Sequence, residues 1–133
     1  MGTTARVTTG PDLPCEVELS AGDRTQTIVF DQPGPLSDGE DGPTSSQAVS
    51  AALASCTAVT LRVYADRKEW DLTGLEVEVA TEYEGPNPNL FTVSVSWPDH
   101  LDEEQRERLS RIAGRCPVHR LLAEATQVEV HTS

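Results

Sequence analysis

Apolar positions recur along this chain in two periods, and the switch between them marks out its elements. From Ala48 to Ala65 nearly every residue is small or apolar. Val49, Ala52, Leu53, Cys56, Val59 and Val63 follow the 3-4-3-4 step of one helical face, while Ala51, Ala54, Ala58 and Leu61 occupy the opposite one. A helix apolar nearly all round is a buried one, so the pattern predicts a central core helix. Its Ser, Thr and Gln interruptions and its length argue against a bilayer span. Pro43, Thr44 as N-cap and Gln47 three residues later form a capping box that fixes its start. Charged residues Arg62, Asp66, Arg67, Lys68 and Glu69 mark its far end.

On either side the period drops to two, as strands require. Segments 4–9 and 14–20 read as short strands flanking Gly10-Pro11, with Cys15, Val17 and Leu19 on one face and Glu16 and Glu18 on the other. Ala21-Gly22-Asp23 predicts a hairpin turn into a third strand, Thr25 to Phe30, with Ile28 and Phe30 inward. The Pro-, Gly- and Asp-rich segment 31–41 is a loop, long enough to be functional. After Trp70, Leu75, Val77, Val79, Thr81 and Tyr83 alternate with mostly acidic residues, which predicts a strand with those five on its buried face and the acidic ones on a solvated face. Segment 85–89 then turns, and Phe91, Val93, Val95 and Trp97 return as the partner strand. Asp102 and Gln105 predict a second capped helix, with Leu109, Ile112 and Ala113 inward and an end near Gly114. Pro117 suits the first turn of a short third helix, and Gln127 to Thr132 reads as a closing strand with Val128 and Val130 on one face. There is no internal repeat, and residues 1–133 read as one domain.

The formal charge of −12 changes this picture in one respect. Such a surface repels nucleic acid and anionic lipid, which leaves neither nucleic acid nor membrane as a partner. No basic start precedes an apolar run at the N-terminus, so a cytoplasmic protein is expected. Three cysteines do not make a disulfide-stapled scaffold. In a reducing compartment they are buried, catalytic or redox-active. Cys15 reads as a strand core residue. Cys56, taken alone, reads as a small core hydrophobe. Cys116, at a junction before Pro117, is expected to be less enclosed. Cys116 and His119 have the spacing of half a zinc site, but His100 and His131 are isolated, so no metal and no cofactor is expected.

Taken together, the Gly-Pro before an Ala-rich helix ending ALASCTAVTLRVYADRK, and the downstream CPVHRLL, resemble the OsmC/Ohr family of thiol peroxidases. The resemblance runs from about Asp31 to the C-terminus in the same element order, and its texture is closer to the OsmC-like branches. It implies an α+β fold in which two antiparallel sheets wrap two central helices and two chains intertwine into a homodimer, with active sites at the subunit interface. It implies that Cys56 is the peroxidatic cysteine and Cys116 the resolving one. Organic hydroperoxides would then be reduced, and hydrogen peroxide more weakly. Cys56 would pass through a sulfenic acid to a Cys56–Cys116 disulfide. A dithiol, either a lipoylated protein or a small molecule, would reopen that disulfide.

An apolar surround disfavours a thiolate, so a cation near Cys56 is required. The family places an arginine there, held by a glutamate early in the helix. Here Ser46 and Gln47 stand at the glutamate's positions, and Gln47 can accept a guanidinium hydrogen bond without the ionic strength. Arg24 is the candidate arginine, with Arg6 behind it, and the family's Asp-Glu-Pro becomes Asp31-Gln32-Pro33. Two other readings follow from the residues. One is a weakly active or non-catalytic dimer that binds a small apolar ligand or senses redox state. The other is a Cys56–His119 nucleophile for acyl transfer, for which no orienting acid is evident.

Overall fold

Strand β1 (Thr3–Val7), β2 (Cys15–Ala21) and β3 (Arg24–Phe30) form an antiparallel meander in the computed structural model, which describes residues 2–124 and 126–132. Gly22, with φ 62, and Asp23 connect Ala21 to its partner Arg24. A glycine at positive φ in the first position of a two-residue turn gives the twist that a hairpin needs. Cys15, Val17 and Leu19 are half-buried between exposed Glu16 and Glu18, as alternation predicts. Ile28, expected inward, is 38 % exposed.

Contacts divide the chain into two compact units, 1–49 and 50–133. In the first, the loop after β3 is gathered on one carboxylate. Asp31 is buried, and its oxygens accept hydrogen bonds from the Gln32 amide at 2.8 Å, the Ser37 hydroxyl at 2.9 Å and the Asp41 amide at 3.2 Å. Its own amide donates to the Pro43 carbonyl at 3.0 Å. Those bonds, led by Ser37, hold the Asp31 carboxyl below its usual value against the opposing effect of desolvation. Gly42 lies so close to β3 that a Cβ there would meet the Val29 carbonyl oxygen at 2.5 Å.

Helix α1 (Ser45–Arg67) begins as predicted. The Thr44 amide donates to Gln47 Oε1 at 3.0 Å, and the Gln47 amide to Thr44 Oγ1 at 3.1 Å. Its 23 residues run between the predicted ends, and, against the expectation that the run is too short, by length and composition alone it could cross a membrane. The core helix of a soluble protein meets the same test. It ends where Glu69 turns left-handed, at φ 58. The Trp70 amide then reaches the Ala65 carbonyl at 2.8 Å and the Glu69 amide the Asp66 carbonyl at 3.0 Å, a Schellman closure. Tyr64 and Trp70 seal it edge to face, with ring centroids 6.0 Å apart.

In the second unit, β4 (Glu76–Glu84) pairs with β5 (Asn87–Ser96) around the turn Gly85-Pro86, so three residues of the expected 85–89 turn belong to the strand. Helix α2 (Glu103–Ala113) carries the predicted Asp102–Gln105 capping box and ends at Gly114. Helix α3 (Pro117–Ala123) follows. Leu61, Ala65, Leu72, Leu101 and Leu109 make the core, ringed by Trp70, Leu75, Val95, Trp97 and Ile112. Each fully buried leucine contributes about 1.5–3 kcal/mol of transfer free energy.

Three expectations are corrected. The α1 helix is not buried all round: Leu53, Thr57, Leu61 and Ala65 form one buried stripe, while Val59 and Val63 are 57 % and 46 % exposed. The buried stripe is the one that carries both leucines, and the residues beside it, Ala54, Cys56, Ala58, Thr60 and Tyr64, are half-buried. Tyr83 is 46 % exposed, beyond the bulge where β4 and β5 shift register. Residues 127–132 form no strand, and Val128 and Val130 are 84 % and 83 % exposed. Their alternation is real, but no strand edge pairs with them.

Candidate active site

Residues 52, 55, 56, 59, 60, 63, 64 and 67 of α1 line one side of an apolar groove of about 720 Å³. Their spacing is that of a single helical face. Ile112 of α2, Arg115 and Pro117 line the other side. Cys56 is half-buried in this groove. Two guanidinium groups, Arg67 and Arg115, line it as well. Neither was singled out from the sequence, although both carried a signal. Arg67 lies eleven residues, about three turns, beyond Cys56 on the same face, and Arg115 directly precedes Cys116.

Cys116 is fully buried, which reverses the expectation that Cys56 is the more enclosed of the two sulfurs. It is the N-cap of α3, where its Sγ accepts the His119 amide at 3.2 Å. The Cys-x-x-His spacing therefore has a backbone cause. A cap accepts from the amide three residues on, so the spacing is that of a helix start. Among the described residues, no three His, Cys, Asp or Glu side chains group together. His100 Nε2 instead pairs with the Asp71 carbonyl at 2.6 Å and His131 with Glu129 at 3.3 Å.

Thr57 links the two cysteines. It follows Cys56 in the chain, and its Oγ1 lies 3.7 Å from Cys116 Sγ. The residues on either side of Cys116 line the Cys56 groove. Within the second unit Cys56 therefore lines the groove, and Cys116 is buried between two of its lining residues and against the residue that follows Cys56. The other predicted site residues lie in the first unit. Arg24 is exposed at the start of β3, opposite Ala21. Arg6 is exposed on β1 opposite Glu18. Gln47 is exposed, with its Oε1 engaged in capping α1.

The arrangement defines a class: an α+β protein with one cysteine lining an apolar groove that carries guanidinium groups and a second cysteine buried beside the same helix. The sequence model of the family described as OsmC-like protein matches residues 37–131, which include both cysteines. The chain belongs to the OsmC/Ohr family. Solved structures share its fold. An OsmC-like protein from Mycoplasma pneumoniae is 16% identical with a TM-score of 0.71, over 92% of this chain and 88% of that one. An organic hydroperoxide resistance protein OsmC from Legionella pneumophila is 18% identical with a TM-score of 0.61, over 92% and 89%. The organic hydroperoxide resistance protein OhrB of Bacillus subtilis is 20% identical with a TM-score of 0.51, over 88% of each chain. No curated protein matches the chain by sequence.

Proposed function

We propose that this protein is a thiol peroxidase that reduces organic hydroperoxides. The observation that carries this reading is a half-buried Cys56 in an apolar groove, with Cys116 packed against the next residue of the same helix. The Cys56 thiolate attacks the outer peroxide oxygen. The O–O bond breaks, and the leaving alkoxide takes a proton to become an alcohol. Cys56 is left as a sulfenic acid. Cys116 then displaces its hydroxyl to form a disulfide, and an external dithiol, a small molecule or a lipoylated protein, reopens it by exchange. The apolar walls favour an alkyl hydroperoxide over hydrogen peroxide, because burying the alkyl group contributes about 25 cal/mol per Å².

The charge on the Cys56 thiolate requires a cation. Arg115, on the groove wall, supplies one, and Arg24 is the arginine that the family resemblance assigns. Gln47 acts chiefly as the α1 cap, in keeping with its bond to the Thr44 amide. The exposed apolar face of α1 supports a homodimer in which a second copy covers Val59 and Val63 and closes the groove over the thiol.

Consumption of cumene or tert-butyl hydroperoxide with a dithiol reductant tests this reading. The wild-type protein turns over, and Cys56→Ser lowers the rate at least about tenfold, the effect of 1.4 kcal/mol on a barrier. Retained turnover in Cys56→Ser overturns the assignment. Tight binding of an apolar ligand by a wild-type protein without turnover would favour a binding role for the same groove.

A further inference from the structure

Thr57 stands in the middle of α1, 1 % exposed, on the stripe otherwise made of Leu53, Leu61 and Ala65. Its hydroxyl donates to the Leu53 carbonyl at 2.8 Å, a bond that alone would satisfy a buried helical threonine. The same Oγ1 also lies 3.7 Å from Cys116 Sγ, and the His119 amide lies 3.2 Å from that sulfur on the α3 side. Cys116 is fully buried, so water does not supply what these groups lack.

A hydroxyl has one proton and two acceptor sites. With its proton on Leu53 O, Thr57 presents a lone pair to the Cys116 S–H, and the chain S–H to O–H to O=C is complete. When Cys116 ionises it has no proton to donate. The Thr57 hydroxyl then rotates its proton from Leu53 O to the sulfur. Leu53 O keeps its helical amide bond from Thr57 N–H, so no acceptor is stranded. We propose that Thr57 is a positioning residue for the resolving cysteine, solvating the Cys116 sulfur in both protonation states through one hydroxyl rotor. The inference rests on the reading of Cys56 and Cys116 as a dithiol couple. In the step concerned, the Cys116 thiolate attacks the sulfur of the Cys56 sulfenic acid. The S–S bond forms, the S–O bond breaks, and the departing hydroxide takes the proton that Cys116 released and leaves as water.

Thr57→Val keeps the shape and β-branching and removes the rotor. Reduced protein is mixed with one equivalent of tert-butyl hydroperoxide and quenched over time. Sulfenic acid at Cys56, trapped with dimedone, and the Cys56–Cys116 disulfide are then quantified by mass spectrometry. In Thr57→Val the sulfenic acid forms at the wild-type rate, while the disulfide forms at least about tenfold more slowly, the scale of a hydrogen bond to a charged group. The pH profile of disulfide formation moves to higher pH, and Thr57→Ser restores both. Alkylation of Cys116 in the reduced protein shows the same displacement without any peroxide. Wild-type disulfide kinetics and pH profile in Thr57→Val overturn the proposal. Equal slowing in Thr57→Val and Thr57→Ser also overturns it, because packing alone would then be at work. Should the wild type form no sulfenic acid at all, the peroxidase reading fails, and the alkylation profiles still decide the role of Thr57.

Discussion

At Cys116 a sulfur stands where helix N-termini ordinarily carry Ser, Thr, Asp or Asn. Its bond from the His119 amide is structural, and its contact with Thr57 faces the proposed chemistry. The two roles separate in Cys116→Ser. A serine hydroxyl caps at least as well as a thiol, so the melting temperature stays at or above that of the wild type. Peroxide oxidation stops at the Cys56 sulfenic acid, detectable with dimedone, and turnover by a dithiol falls. A wild-type yield of protein disulfide in Cys116→Ser would show that Cys15, the other remaining thiol, does the resolving. Both cysteines stand out in the sequence as candidates through CTAVTLRVYADRK and CPVHRLL. Their relative burial was not legible there. The residue before a proline looked open in sequence, yet Cys116 is buried against Thr57, a residue 59 positions upstream that reads simply as polar.

Among the elements, the loop from Asp31 to Pro43 makes the sharpest prediction. Ser37 above all, with the Asp41 and Gln32 amides, holds the Asp31 carboxyl below its ordinary value of 3.8. A carboxyl lowered in the folded state contributes stability that is fully present above its unfolded value and is lost as pH falls through the folded one. Amide protection factors at 32–41, measured by hydrogen exchange, therefore hold steady from neutral pH to about pH 4 and drop below it. In Asp31→Asn they are lower at neutral pH and lose that acid-side drop. An unchanged profile in the variant would remove Asp31 as the organiser of the loop. The strands, both capping boxes and the helix order were legible because each rests on local pattern. Which face of α1 is buried was not. Ala, Val, Ser and Thr surround the helix almost evenly, and only packing against Leu72, Leu101 and Leu109 selects the stripe through Leu61 and Ala65. The missing strand at 127–132 has the same origin, since alternation specifies a strand only when an edge is present to pair with it.

For the molecule as a whole, an acidic chain that leaves Val59 and Val63 of its longest helix open to solvent has an uncovered apolar face. The proposed homodimer covers it. Analytical ultracentrifugation should give twice the chain mass for the wild type and the single-chain mass for Val59→Asp, because an unpaired carboxylate in such an interface is not tolerated. A monomeric wild type would contradict the dimer. The central claim concerns two sulfurs distant in sequence and joined in function, and one measurement addresses it directly. Reduced protein is treated with one equivalent of an organic hydroperoxide, and its disulfides are mapped by peptide mass spectrometry without reduction. The account predicts a Cys56–Cys116 linkage as the main product, reversed by a dithiol. A protein that remains fully reduced, or that overoxidises at Cys56 while Cys116 stays free, would contradict it.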